Sequence, residues 1–522
     1  MPNTVQKAMR AFGLIWLSIL MSANPAVGDI PSVFWGGLEP GQYAVGFETI
    51  EKFDYSRTFR DKYDYDGNLR ERQTARPIQL CVWYPAKANP TDRPMVYGEY
   101  AFPAPEDPRF YDLLSGLQAR EANYLVPLLG SLNLLADMMN LRVGATKKAE
   151  RAEGSFPLII YHPDVNRAYC ENAALCEYLA SHGYIVATSH TFGTADLPVM
   201  VNAANLETMV RDRELVYGSM YQYPHVDMSR PAVVGCGMGG LSALLMQMRN
   251  TDIEAVVVLD GTQAHKDGID LAATFPSFNV IGADVPLLQI YISAHENLDL
   301  SLTDSLLYSL RYLAGMPGFV SNDFTQYTIT SSIVPDSMVT PALGSLSNYR
   351  TICELTRDFL EVHLLLKKEG LSAGLMPAAE RKFELTILEN ETAPPTEAQF
   401  MEMIQADRID RAVEIYEAFK KSRPGYVFFQ EATLNAAGYG LLQANQLEEA
   451  RMIFKINTEA FPNSANVWDS YADACIASGD TETAIMCYQR VLEVLPADSL
   501  IDPAVQEILL NNATQGLQDL QK

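Results

Sequence analysis

The stretch Pro231-Ala-Val-Val-Gly-Cys-Gly-Met-Gly-Gly240 limits what this chain can fold into more than any other. A short β-branched run leads through three alternating glycines, Gly235, Gly237 and Gly239, into an apolar helical pattern from Leu241 to Met248. β-branched residues suit a pleated strand, and glycines permit positive φ and close backbone approach. The segment reads as strand, sharp turn and helix, the building unit of a parallel sheet covered by helices.

The same alternation extends in both directions. Phe156-Pro-Leu-Ile-Ile-Tyr161, Tyr184-Ile-Val-Ala-Thr188, Ala255-Val-Val-Val-Leu259 and Pro286-Leu-Leu-Gln-Ile-Tyr-Ile292 read as short buried strands. Helical patterns separate them: Glu171 to His182 with Gly183 as its stop, Leu206 to Tyr217, Thr303 to Leu313, and Thr351 to Lys367. Upstream, Gly41 to Phe47 and Pro77 to Pro85 read as strands around a polar loop or hairpin, Glu51 to Arg76. Residues 107 to 145 carry a helical pattern, apolar on most faces from Leu125 to Leu141, and are expected to pack over the sheet as an insertion. The expected class is α/β with a mostly parallel sheet.

Glu389-Asn-Glu-Thr-Ala-Pro-Pro-Thr396 is polar and proline-bearing, and strand character ends there. It is read as a linker, 389–396, between an α/β domain over 29–388 and a helical region over 397–522. In that region Ala412, Tyr416 and Pro424 recur as Ala450, Phe454 and Pro462, then as Ala484, Tyr488 and Pro496. The last interval is 34 residues, the tetratricopeptide period, and Leu434, Gly438, Trp468 and Ala472 fall on further positions of that pattern. Two regular units and one irregular unit are expected, with a concave face for a protein partner.

Lys7 and Arg10 precede an apolar segment, Ala11 to Met21, and small residues at Ala26 and Gly28. These are the three parts of a signal peptide, so residues 1–28 are expected to direct export to the periplasm or outside the cell. The apolar run is short of the about 20 residues that span a bilayer, so no membrane association is expected after its removal. Thirty-nine basic and sixty-four acidic residues give −25, spread along the chain, which argues against nucleic acid and anionic lipid. The seven cysteines form no C-x-x-C pair, no His, Cys and acid set has metal spacing, and no cofactor is expected. Cys475 and Cys487 are placed to face each other across a helical hairpin.

Residues 38 to about 365 resemble the α/β-hydrolase branch of platelet-activating-factor acetylhydrolases and dienelactone-hydrolase-like exported esterases. The resemblance is carried by Tyr-Ala-Val-Gly-Phe47, Arg-Pro-Ile-Gln-Leu-Cys-Val-Trp-Tyr-Pro85, the segment Glu171 to Tyr184, Gly-Cys-Gly-Met-Gly-Gly240 and Val-Val-Val-Leu-Asp-Gly261. In such proteins the turn is the nucleophile elbow, G-x-S-x-G, which raises a serine oxygen above the sheet. Gly237 holds the serine position here. The resemblance implies that Asp260 is the acid of the triad and that Ser321, in Gly318-Phe-Val-Ser-Asn-Asp-Phe324, stands where the histidine would be.

The loop after the first buried strand, which relatives use for oxyanion stabilisation, reads His162-Pro-Asp-Val-Asn-Arg167. Pro163 removes a donor there and Asp164 would repel a developing oxyanion if it faced the site. His162, Asp164 and Met238 are the pocket candidates. Cys236 is expected to point into the core, while His265 and His295 fall near the rim in sequence terms. Three functions stay open: a binding protein that has lost serine-hydrolase chemistry, with a small ester- or acyl-like ligand; an active carboxylic-ester hydrolase using displaced residues; and a scaffold acting through its repeats.

Overall fold

The computed structural model describes residues 34–59, 69, 75–165, 167–194, 200–329, 344–366, 383–406, 408–423, 425–498 and 502–521. Residues 1–28, where a signal peptide is expected, and Pro424 lie outside them. The chain divides into two compact units, Met1–Glu391 and Thr392–Lys522.

Among the described residues the first unit is built on eleven strands: β1 Ala44–Thr58, β2 Ala75–Ala86, β3 Pro94–Val96, β4 Arg142–Lys147, β5 Phe156–His162, β6 Ile185–Ser189, β7 Val226–Cys236, β8 Ala255–Leu259, β9 Leu287–Ile292, β10 Arg311–Met316 and β11 Glu384–Leu388. Their order in the sheet is β11-β10-β9-β8-β7-β5-β6-β2-β1-β4-β3. From β10 to β6 all neighbours run parallel, and β11 and β2 close that block with antiparallel pairing. The order reverses between β7 and β5, which opens a crevice at their carboxyl ends, the usual place for a ligand in an open α/β sheet.

Helices α1 Tyr111–Leu129, α2 Leu132–Met139, α3 Ala173–Ser181, α4 Ala203–Met220, α5 Met238–Arg249, α6 Lys266–Ala273 and α7 Leu346–His363 cover the sheet. Strand alternation splits the core between its two faces. Val234 and Val257 join the side chains of α3 and α7. Val233, Val256 and Val258 join those of α4 and α5. Burying each such valine contributes about 1.5–3 kcal/mol.

Between Glu51 and Arg76, of the loop and hairpin alternatives, the described residues form a hairpin's two arms, with β1 running to Thr58 and pairing antiparallel with β2, Lys52 with Ile78 and Phe53 with Pro77. Two expectations on this unit require correction. The helical run through residue 145 stops at Met139, and β4 follows alongside β1. The helix expected from Thr303 to Leu313 is a short turn, Ser301–Ser305, and then β10. Leu306, Leu307, Leu310 and Leu313 imitate a helical period, yet β10 is buried throughout between β9 and β11. There the Arg311 guanidinium donates to the carbonyls of Ser309, Thr303 and Asp304, so pairing and burial override local propensity.

The second unit is helical: α8 Glu397–Gln405, α9 Ile409–Ser422, α10 Glu431–Gln443, α11 Leu447–Ala460, α12 Ala465–Ser478, α13 Thr481–Val494 and α14 Pro503–Leu520. From α10 onward each helix packs on the next. The recurring residues Ala412, Tyr416, Ala450, Phe454, Ala484 and Tyr488 are buried. Gly438 lies so close to Phe454 that a Cβ there would meet its ring at 2.6 Å. Cys475 and Cys487 are buried free thiols in hydrogen-bonding contact across the α12–α13 hairpin. Among the described residues, no helix is long and apolar enough to cross a membrane.

Candidate active site

The turn between β7 and α5 is dictated by its glycines. A Cβ at Gly235 would lie 2.2 Å from the Gly239 carbonyl oxygen, and one at Gly239 would lie 2.1 Å from that of His162. Gly237 itself adopts φ 55° and ψ −124°, its N–H bonded to the Leu259 carbonyl and its own carbonyl accepting from Gly240 and Thr262. Positive φ costs a glycine nothing and another residue about 1–3 kcal/mol. The bend is held from β8 as well as by its own sequence.

Around this turn opens a cleft of about 330 Å³. It is lined from the carboxyl ends of five strands: Asp164, Arg167 and Glu171 after β5, Cys236, Gly237 and Met238 at the end of β7, Asp260 and His265 after β8, His295 after β9, and Ser321 and Phe324 after β10. Gly237, Met238, Asp164, Asp260 and Ser321 therefore share one cleft.

Of the three pocket candidates, His162 does not line the cleft and makes a structural hydrogen bond instead. The imidazole is buried, and its Nδ1 lies 3.0 Å from Ser242 Oγ on α5, because the last residue of β5 turns its side chain to the helix. Burial, reinforced by Arg213, holds that imidazole well below its ordinary pKa. Ser321 is exposed at the rim, in a short turn fixed by Asp323, whose carboxylate accepts from the backbone N–H groups of Val320 and Ser345. Cys236 is buried as its position implied, but its thiol contacts the Phe324 carbonyl and forms part of the cleft floor.

Asp164 occupies the centre. Its Oδ1 accepts from the backbone N–H of Met238 at 2.9 Å and of Val165 at 2.8 Å. A Cβ built on Gly237 would lie 2.5 Å from Asp164 Cγ. The carboxylate therefore fills the space a side chain at the turn would use. It also takes the amide that follows the turn, the group that serves an oxyanion in serine hydrolases. Burial raises the Asp164 pKa, opposed by those two N–H groups and by Arg167.

Glu171 lies beneath it, and sequence reading passed over this residue as a helix start. Its Oε1 accepts from the Tyr161 hydroxyl at 2.9 Å and from the Asp164 N–H at 2.8 Å. Burial, with the Asp164 charge added, pushes this carboxyl up to about 8. The signal available was its company: an acid leading Asn-Ala-Ala-Leu-Cys, a run with no exposed face. Arg167 places its guanidinium 3.5 Å from the centroid of the Tyr124 ring.

Asp260 closes β8 at φ 46°, a left-handed conformation that aspartate tolerates better than most residues. Burial pushes it up to about 6, against the Ile292 backbone and His295. The His265 and His295 rings meet at 4.3 Å between centroids, tilted by 51°, and both line the cleft with Asp260. Burial and His295 lower His265. Among the described residues, no three His, Cys, Asp or Glu side chains are grouped to hold a metal.

No family model matches the chain. It is 27% identical over 183 residues to Cutinase 2 of Thermobifida cellulosilytica, covering 34% of this chain and 66% of that protein. It is likewise 27% identical over 183 residues to Cutinase cut1 of Thermobifida fusca, covering 34% and 54%. To Cutinase est1 of Thermobifida alba it is 30% identical over 175 residues, covering 33% and 55%. The chain thus spans between about half and just under two thirds of the length of these relatives. A ferulic acid esterase from Streptomyces cinnamoneus superposes with a TM-score of 0.48 at 18% identity, covering 67% of this chain and 98% of that one. Sheet order and turn give the first unit an α/β-hydrolase fold, and its sequence similarity is to cutinases.

Proposed function

We propose that the first unit is a non-catalytic relative of the ester hydrolases whose cleft binds a small ligand. The observation that carries this reading is Asp164, which sits where a nucleophile would project and holds the Met238 N–H. Acyl transfer needs a nucleophile, a base and donors aimed at the developing oxyanion. Here the turn residue is glycine, Ser321 is at the rim in place of a histidine, and a carboxylate meets any incoming carbonyl oxygen. That last point also speaks against the ester- or acyl-like ligand implied by the resemblance.

Within this reading the chain is a platelet-activating-factor-acetylhydrolase-like domain over 29–388, exported by residues 1–28, with a linker at 389–396 and tetratricopeptide-like repeats over 397–522 that engage a protein partner. Buried recurring positions and helical hairpins in the second unit support the repeats. The competing reading, ester hydrolysis with displaced residues, draws on the cutinase similarity and on His265 and His295 beside Asp260. Among the described residues at the turn, Gly237 offers no nucleophile and the Cys236 thiol is pushed well up by burial.

A fluorophosphonate probe and p-nitrophenyl butyrate separate the two. The purified protein is expected to take no label and to show no turnover above buffer. Stoichiometric labelling, or turnover lost in Asp260→Ala, would overturn the non-catalytic reading.

A further inference from the structure

We infer that the cleft is a receptor for a small protonated amine, which Glu171 and Asp260 hold through one oxygen each. The inference rests on the non-catalytic reading and names its ligand class.

Glu171 is fully buried. Both hydrogen bonds it receives go to Oε1, and Oε2 has no partner although the residue lines the cleft. Asp260, which lines the same cleft, repeats the arrangement, its Oδ1 sealed from solvent and without a donor. Buried acceptors in a settled fold are almost always satisfied, so two orphaned carboxylate oxygens on one cleft call for a ligand that brings N–H groups.

Charge decides what kind of donor. Three carboxyl groups, those of Asp164, Glu171 and Asp260, line the cleft with one guanidinium, that of Arg167, so negative charge is in excess once Glu171 has given up its proton. The Arg167 guanidinium lies on the Tyr124 ring, within charge range of Glu171 and Asp164. Asp164 is already bonded to two backbone N–H groups. An anion is repelled, and a neutral alcohol would satisfy hydrogen bonds while leaving the negative charge uncompensated. An ammonium does both. Val165, Met238 and Phe324 supply apolar wall for its carbon skeleton. The volume of about 330 Å³ is at the lower end of small-molecule sites, which limits the ligand to a compact one.

Binding couples to protons. Glu171 is faced by Tyr161, Asp164, Arg167, Tyr124, Tyr327, Cys176 and Cys236, and Asp260 by His295, Asp164 and Cys236. With its carboxyl raised to about 8, Glu171 must release a proton as the ammonium enters, so affinity rises with pH through that region.

Calorimetric titration of the full chain in about 0.15 M salt tests this, with n-butylamine, n-butanol and n-butyltrimethylammonium as probes. n-Butylamine is expected to bind with one-to-one stoichiometry. It should bind about tenfold or more tightly than the alcohol or the quaternary ion, which lack charge and N–H donors respectively. Its affinity should be about threefold or more higher at pH 8.5 than at pH 6.5, and Glu171→Gln and Asp260→Asn should each weaken it about tenfold. Equal binding of the alcohol, amine binding unchanged in both variants, or no amine binding overturns the assignment. Those results leave the non-catalytic reading standing, because that reading falls only to fluorophosphonate labelling or ester turnover in the same preparation.

Discussion

Gly237 and Asp164 form one unit, since each residue is possible at its place because of the other. A serine at 237 would adopt an unfavourable backbone conformation and drive its Cβ into the Asp164 carboxylate, which would then leave the Met238 N–H. Backbone strain of about 1–3 kcal/mol and a broken charge-assisted hydrogen bond of similar size add in one direction. Gly237→Ser is therefore expected to lower the stability of the first unit by about 2–4 kcal/mol in urea denaturation and to restore no ester turnover. Asp164→Gly in the same chain removes the clash, and a double-mutant cycle should show coupling of about 1 kcal/mol or more. Additive losses would mean that the carboxylate moves aside freely and does not plug the turn.

At the scale of elements, a single buried carboxylate joins pieces far apart in sequence. Glu177, on α3, accepts from Trp35 Nε1 and Tyr100 Oη at 2.6 Å each and from the backbone N–H groups of Gly144 and Ala145 on β4. Glu177→Ala would leave four donors unpaired in a dry core. The expected loss is about 3–5 kcal/mol, with Glu177→Gln retaining a substantial part, measured by urea denaturation followed by Trp35 fluorescence. A loss below about 1 kcal/mol would show that water replaces the carboxylate.

The central strands and the turn at Gly237 were legible in the sequence because β-branched runs and glycines act locally. β4, β10 and β11 were not, because they are strands through pairing with neighbours, and the leucines before β10 carry a helical spacing. The cleft was legible in part. Gly237, Asp260 and Ser321 follow from the elbow and the resemblance. The roles of Asp164, Glu171 and His162 depend on which way a side chain turns at a strand end, and one residue of register decides that.

For the whole molecule, buried acids and buried histidines set opposing slopes of stability with pH. Burial raises Glu171 to about 8 and Glu177 to about 7, above the ordinary 4.5. Above that ordinary value and below the raised one, the folded chain keeps protons that the unfolded chain has released, so stability falls as pH rises. His162 and His363 act in reverse: burial holds His363 at about 4 and His162 well below 6.5, so stability falls as pH drops below 6.5. Above pH 6.5 the acids act alone, each adding about 1.4 kcal/mol per pH unit while its protonation differs between the two states. A net charge of −25 adds self-repulsion of the same sign, which salt screens and burial does not. From pH 6.5 to 8 the first unit should lose roughly 2–3 kcal/mol. Denaturation would be followed through Trp35 and Trp83 in a Trp16→Phe, Trp468→Phe background. Added salt should remove only part of the loss, and Glu171→Gln should remove most of the remainder. A loss abolished by salt alone would assign the whole slope to surface repulsion and leave the raised carboxyls with no part in it.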